Sequence, residues 1–455
     1  MTTSSVLDDA PLNGFHRKLA LYSSGGPFLD GYILSVVGVA IVQLGPQMHL
    51  SDAALGLIGA SALIGIFFGA FLGGYLTDKF GRQVLYTIDL IAIIGCSVAQ
   101  FWATDPVWLF VLRLLIGMAV GADYPIATSL LAEFTPRRYR GPLLGGLMVM
   151  WFVGAATAYV VGEALLTVDG TGWRWMLASA ALPALLIVLL RLGTPESPRW
   201  LAKKGRVDEA NAVMRKVFGD QASISDLPEE EHESVGLMLL WRSGYVGRML
   251  FVSAFWTCSI VPLFAVYAFG PRILGALHLN GHLANIGSAL ITVFFVVGCV
   301  LAMVVINRMG RRALIIHSFT WSGLALLVLG LFPSAPAAVI IILFAAYAVL
   351  IGGAQNLQWI YPNELFPTEV RGTAVGLASS LSRIGAAIGT YLVPLALTSW
   401  GIGPTMLVAA AITLLGAGIS MRWAPETHGL ALHESAALAE PATANAEPRS
   451  THHVM

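Results

Sequence analysis

Residues 113–141 read RLLIGMAVGADYPIATSLLAEFTPRRYRG. They form an apolar helix long enough to cross a bilayer, closed by a basic cluster, Arg137, Arg138 and Arg140. Arg113 and Asp123 lie inside the apolar part. A charge at bilayer depth is costly, so it is expected to face a bundle interior or a water-filled path. The end of the stretch, Glu133 to Arg140-Gly141, returns as Glu364 to Arg371-Gly372, 231 positions on. Gly81-Arg82 returns as Gly310-Arg311 after 229 positions, and Pro195-Glu196 as Pro425-Glu426 after 230. Three short motifs at one period indicate a six-span unit used twice in the same orientation. Such a parallel repeat places a site between its halves.

Composition agrees. Of 455 residues, 56% are apolar and 11% charged, where a soluble domain carries about 25% charged residues. Most of the surface is therefore expected to face lipid. Twelve apolar runs of about 20 residues follow one another, centred roughly on residues 32, 66, 94, 119, 153, 182, 262, 295, 323, 349, 384 and 412. The fold class expected is an all-α membrane protein, twelve transmembrane helices in two six-helix bundles. The net charge is zero, so no basic field argues for nucleic acid. Cys96, Cys258 and Cys299 lie in apolar spans without ligand spacing and read as small buried hydrophobes, so no metal or other cofactor is expected. No phosphate-binding glycine loop or nucleophile constellation is present, so the chain does not read as an enzyme.

Lys and Arg set the orientation. With both termini cytoplasmic, the inner side receives Arg17, Lys18, Lys79, Arg82, the 137–140 cluster, the basic residues of 191–248, Arg308, Arg311, Arg312, Arg371 and Arg422. Only Arg113, Arg174, Arg272 and Arg383 fall elsewhere. The expected organisation is a cytoplasmic tail at 1–19, a first bundle at 20–192, a linker at 193–247, a second bundle at 248–423 and a disordered tail at 424–455. In the linker, Ala210, Val213, Met214 and Val217 recur at helical spacing and predict amphipathic helices at the cytoplasmic face. The N-terminus has no cleavable signal pattern.

Two motif pairs read as a cytoplasmic gate. GGYLTDKFGRQ, 73–83, joins spans two and three. Its Asp78 and Arg82 can cap helix ends and pair across them, and the second-half copy NRMGRR, 307–312, supplies Arg311. Glu133 with Arg140, and Glu364 with Arg371, follow spans four and ten, where ion pairs can form and break as the halves rock.

Together GGYLTDKFGR, the 113–141 stretch, PESPRWL, NRMGRR, YPNELFPTEVRG and PETHGL resemble the major facilitator superfamily, in its sugar-porter-like and metabolite:proton symporter branches. The resemblance implies alternating access, a central site lined by spans one, four, seven and ten, frequent proton coupling, a small-molecule substrate and a monomer in the cell (inner) membrane. GADYP is similar to the phosphate:proton symporters. FLDGY is similar to the aromatic-acid:proton symporters, whose pattern is DGYD; here Ile33 replaces the second acid. Phosphate carriers place an acid in span seven, and FWTCSIVPLFAVYAF has none.

Asp30 and Asp123 fall at similar depth on adjacent spans, a few ångström to the cytoplasmic side of the midplane. Two dry carboxylates at one depth are not expected to be ionised together, which suits a proton carrier. Arg113 lies about 15 Å nearer the outside than Asp123. In the sugar porters an arginine at its position pairs with a first-span acid at the position of Ile33; Asp30 sits one turn deeper. Arg383, mid-span in SSLSRIGAAIGTYL, needs an acid, carbonyls or an anionic substrate as partner. Gln355, Asn356, Gln358 and Trp359 place amides and an indole in span ten, and buried amides need partners. Tyr124, Trp256 and Tyr267 are candidate aromatic contacts. Asp89 and Glu163 sit near span ends and read as interfacial. The function expected is proton-coupled symport of a small organic metabolite, an aromatic or heterocyclic carboxylate first. A sugar or polyol symporter and an efflux carrier are the alternatives.

Overall fold

In the computed structural model the described residues are 12–135, 137–168, 170–191, 195–219, 222–226, 245–279, 282–366 and 368–428. Of the residues singled out above, the side chains of Asp78, Arg82, Tyr124, Glu133, Arg140, Trp359 and Arg371 lie outside the described residues. So does the chain from 429 on.

Among the described residues every regular element is helical, and twelve helices are long and apolar enough to cross a membrane. Spans one to six run over Gly14–Gln47, Asp52–Ala70, Gln83–Trp102, Pro106–Asp123, Gly146–Leu166 and Gly172–Arg191. Spans seven to twelve run over Val246–Ala276, Leu283–Ile306, Arg311–Leu331, Ala337–Pro362, Ala374–Ser399 and Ile402–Trp423. Each half is a bundle. Spans two and four, one and five, and three and four pack in the first; eight and ten, seven and eleven, and nine and twelve pack in the second. The bundles meet along one and seven, two and eleven, and five and eight.

Small residues set how closely these helices approach, because lipid tails give no hydrophobic drive for helix pairing. Gly65 and Gly69 on span two interleave with Gly117 and Gly121 on span four. A methyl group at any of the four would overlap backbone of the other helix. The second half repeats the device, with Gly298 on span eight against Gly352 and Val349 on span ten.

An even number of crossings puts residues 12–13, 195–219, 222–226 and 424–428 on one face, here the terminal face, and the turns at 48–51, 170–171 and 277–279 on the far face. On the terminal face, Asn13 Nδ2 donates to the Val217 carbonyl at 2.8 Å. The linker forms helices Pro198–Lys203 and Val207–Phe218, with Ala210, Met214 and Val217 buried as the spacing predicts and Val213 partly so.

The period of the sequence motifs has a structural meaning at this face. Spans three and nine both start after a glycine of positive φ, Gly81 at 100° and Gly310 at 82°. In each case a glutamate from beyond the bundle's last helix caps the helix start. Glu196 accepts from the Gln83 N–H at 2.9 Å. Glu426 accepts from Arg311 N–H at 2.9 Å and Arg312 N–H at 3.1 Å. Glycine supplies the left-handed backbone, and the carboxylate meets exposed N–H groups and the positive end of the helix dipole.

Candidate functional site

A cavity of about 30 Å³ lies between the bundles, lined by Asp30, Trp151, Phe264, Gln355, Gln358 and Arg383 among others. Asp30 enters from span one, buried at 4% exposure. Trp151 on span five donates its indole N–H to Asp30 Oδ2 at 2.7 Å. The other carboxylate oxygen, Oδ1, has no hydrogen-bond partner among the described residues. Arg383 comes from span eleven of the other bundle. Its guanidinium lies 5.1 Å from the Phe264 ring centre, and its charge acts on Asp30. The cavity is therefore lined by one carboxylate, one guanidinium, aromatic faces and two amides. This volume holds only about two waters, so the site is collapsed in this conformation.

The amides of span ten divide. Gln358 donates to Ser259 Oγ and to Gln355 Oε1, both at 2.7 Å, and Gln355 donates to the Ser259 carbonyl at 3.2 Å. Ser259 Oγ in turn donates to the Trp256 carbonyl at 2.8 Å. Gln355 and Gln358 face the cavity as a tied pair. Asn356 differs from the expectation: its Nδ2 donates to the Cys299 carbonyl at 2.7 Å and joins span ten to span eight. One residue along a helix turns the side chain by about 100°, which takes Asn356 off the cavity face. Trp256 and Tyr267 are buried but are not cavity-lining residues either. Tyr267 packs edge-on against Trp151, ring centres 5.0 Å apart, and is tilted against Phe295 at 5.7 Å.

The remaining charges separate by depth. Arg113, 1% exposed, donates to backbone carbonyls, Ile58 O at 3.2 Å and Ile33 O at 3.5 Å, away from the cavity. With an isoleucine at position 33, the backbone of that residue supplies the acceptor. Asp123 is buried at 4% exposure against Gly26 of span one, and its charge interacts with that of Asp30. Asp89 corrects the interfacial reading. It is 4% exposed, inside the first bundle, and its charge interacts with Asp123. Seven residues from its helix start it still lies within the packed face of span three, because spans four and six cover that face. Glu163 is no simple interfacial charge; it accepts from Asn285 of the other bundle at 2.6 Å.

Trp151, Phe264 and Ser259 were not singled out from sequence. A usable signal existed for Trp151: membrane tryptophans favour the interfaces, so one at mid-span, whose N–H needs a partner, marks a polar contact.

At the far face the bundles are tied. Arg272 of span seven and Asp52 of span two pair at 2.7 Å, beside the Glu163–Asn285 bond. Tyr159 donates to the Tyr267 carbonyl at 3.1 Å, and Gly38 lets span one close on the backbone of span seven. At the terminal face, Arg311 holds Glu364 within the second bundle, Nη2 to Oε1 at 2.9 Å, and Thr427 Oγ1 donates to Glu364 Oε2 at 2.5 Å.

Two helical bundles around a central polar cavity, tied at one face, define a multi-pass membrane carrier. Residues 19–439 match the family described as "Sugar (and other) transporter", and the chain belongs to that family of the major facilitator superfamily. It is 46% identical to YaaU of Escherichia coli (strain K12), covering 96% of this chain and 98% of that protein. It is 41% identical to the inner membrane metabolite transport protein YgcS of the same organism, covering 95% and 96%. The inward-open structure of the xylose transporter XylE from E. coli superposes with a TM-score of 0.80 at 24% identity, covering 93% of this chain and all of that one.

Proposed function

We propose that this carrier moves a small organic carboxylate, aromatic or heterocyclic, together with a proton, by alternating access. The observation that carries the reading is the pairing of Asp30 and Arg383 across one cavity, the only two charges among its lining residues. With Asp30 ionised the pair is neutral. A substrate carboxylate seated on Arg383, which it can engage bidentately, leaves the cavity with one uncompensated negative charge. That charge is costly at low dielectric. Protonation of Asp30 restores neutrality, so carboxylate and proton enter and leave together. Trp151 and Phe264 suit a planar ligand. The far-face ties support a form closed on that side, and the basic bias of the loops supports the terminal face as cytoplasmic in the inner membrane, where YgcS is placed by its name. The single chain holds both halves of the site, consistent with a monomer.

A second reading, a sugar or polyol, is favoured by the hydrogen-bonded chain of Gln355 and Gln358, both of which line the cavity, with Ser259. The fold neighbour XylE is named a proton:xylose symporter.

A thermal-shift panel on the purified carrier separates the readings, since a ligand of the folded state raises apparent stability by mass action. Benzoate and nicotinate are expected to stabilise while their amides and a set of sugars do not. Stabilisation by sugars alone would overturn the carboxylate reading. In proteoliposomes, Asp30→Asn is expected to lose uptake of the stabilising ligand driven by a pH gradient while the variant remains folded. Full gradient-driven uptake by Asp30→Asn would remove the coupling role.

A further inference from the structure

We infer that Asp89, Asp123 and Tyr86 form a proton-handling site inside the first bundle, set between the central cavity and the terminal face and separate from the route between the bundles. The inference rests on the proton-coupled reading above and extends it to a group that the reading does not use.

Three observations carry it. Asp89 is 4% exposed; its Oδ1 takes the Leu90 N–H at 2.6 Å, while Oδ2 has no hydrogen-bond partner among the described residues. Asp123 is equally buried, and its Oδ1 is unpartnered in the same sense. Tyr86 is 1% exposed and its hydroxyl is likewise unpartnered. Tyr86 lies three positions before Asp89, on the same helix face. At Gly26 of span one the space a methyl would need is taken by Asp123 Oδ2, and the Tyr86 hydroxyl lies 3.4 Å from that same methyl position. Glycine at 26 thus lets span one close over both groups.

Among the described residues the charged and titratable neighbours are few. Span one presents Asp30 and Tyr22, span four Asp123, and span six Arg191. The Arg191 guanidinium lies on the Tyr86 ring, and its Nη1 donates to the Tyr86 carbonyl at 3.4 Å. Arg191 ends span six at the terminal face. Asp89 is seven residues into its helix, about 10 Å from that face, and Asp123 about 16 Å. The acids therefore step inward, from Asp89 to Asp123 to the cavity-facing Asp30.

Two buried carboxylates with unfilled acceptor sites, and with no cation between them among the described residues, share a proton more cheaply than they hold two charges. The shared proton fills one of the unpartnered oxygens, and the Tyr86 hydroxyl is the donor available to the carboxylate left behind. On release, the proton leaves the Asp30 carboxyl for the Asp123–Asp89 pair, which passes a proton to water at the terminal face. Each hop moves one proton and leaves one carboxylate behind. The substrate meanwhile departs between the bundles.

Infrared titration of the full-length carrier in lipid nanodiscs tests this without a transported ligand. The probe is the proton, read by the carbonyl stretch of protonated carboxylic acids. Wild type is expected to keep a buried carboxylic-acid band at neutral pH. Asp89→Asn should remove a component of it and displace the titration of what remains, and Asp89→Glu should restore it. Asp123→Asn, which opens the pair from the other helix, should displace the Asp89 component, so the test survives a poorly folded Asp89→Asn. Absence of the band in wild type, or an unchanged spectrum and titration in both Asn variants, would overturn the inference. The coupling reading fails separately, if wild-type ligand uptake ignores a pH gradient although the band is present.

Discussion

Asp30 has one oxygen on the Trp151 indole and the other without a hydrogen-bond partner among the described residues. A hydrogen bond to a charged group contributes about 1.5–3 kcal/mol, so Trp151 holds the carboxylate in a single orientation. Trp151→Phe keeps the ring against Tyr267 and Phe264 but removes the donor. It is expected to weaken gradient-driven uptake by about ten-fold or more, with a shifted pH profile and little change in melting temperature. An unchanged pH profile would reduce Trp151 to packing. Arg383→Lys keeps the charge and loses the planar fork, so carboxylate binding should fall sharply, and binding of the matching amides should stay equally weak. Asp30 and Arg383 were legible from sequence because a mid-span charge is rare and costly. Trp151 as a mid-span donor was legible on the same ground, but its partner was not, because Asp30 lies 121 positions away. Gln355 and Asn356 looked equivalent as residue types. Only the helical phase, fixed by what packs on each side, sends one to the cavity and the other to span eight.

Elements are held by shape where spans two and four cross. Gly65 and Gly117 allow backbone contact that no other residue fits. Gly117→Leu should therefore cost at least the 1–3 kcal/mol typical of overpacking, read as a lowered melting temperature in detergent. A melting temperature equal to wild type would show that the two helices can move apart freely. The start of span nine depends on charge instead. Burial raises the Glu426 pKa, but the backbone N–H groups of Arg311, His428, Arg312 and Thr427 outweigh it and hold the carboxyl below the usual range. A depressed carboxyl contributes stability that is present above its unfolded pKa and lost as pH falls through the folded one. Glu426→Gln should thus cost about 1 kcal/mol at neutral pH, the size of a helix cap. The gap to wild type should narrow as pH drops below the carboxylate range. A gap independent of pH would mean that the charge is irrelevant to the cap. Glycine and glutamate were visible as repeated motifs; that each glutamate caps a helix of its own bundle was not, since 113 residues separate Glu196 from Gln83.

At the scale of the molecule, polar contacts at the far face hold the two bundles together. Arg272–Asp52 and Asn285–Glu163 both bridge the bundles, so both break when that face opens. Arg272→Gln removes a partly exposed pair, whose contribution is modest. The closed form should lose a few-fold in population, with faster thiol labelling of a cysteine introduced at Val42 in the adjoining 900 Å³ vestibule. Labelling no faster than in wild type would remove these ties from the conformational balance. Carriers switch by such small differences between two packed states.

The sequence by itself determined the membrane class, the twelve spans and the repeated bundle. These follow from the water–lipid partition of each run and from motif spacing, both local in the chain. It also marked Asp30, Asp123 and Arg383 as charges in need of partners. Only the tertiary structure decided the partners: Asp30 on Trp151 and opposite Arg383, Arg113 on backbone carbonyls, Asp89 buried beside Asp123. Those pairings depend on helix rotation and on contact between distant spans. Packing against a specific neighbour sets both, and no hydropathy pattern encodes them.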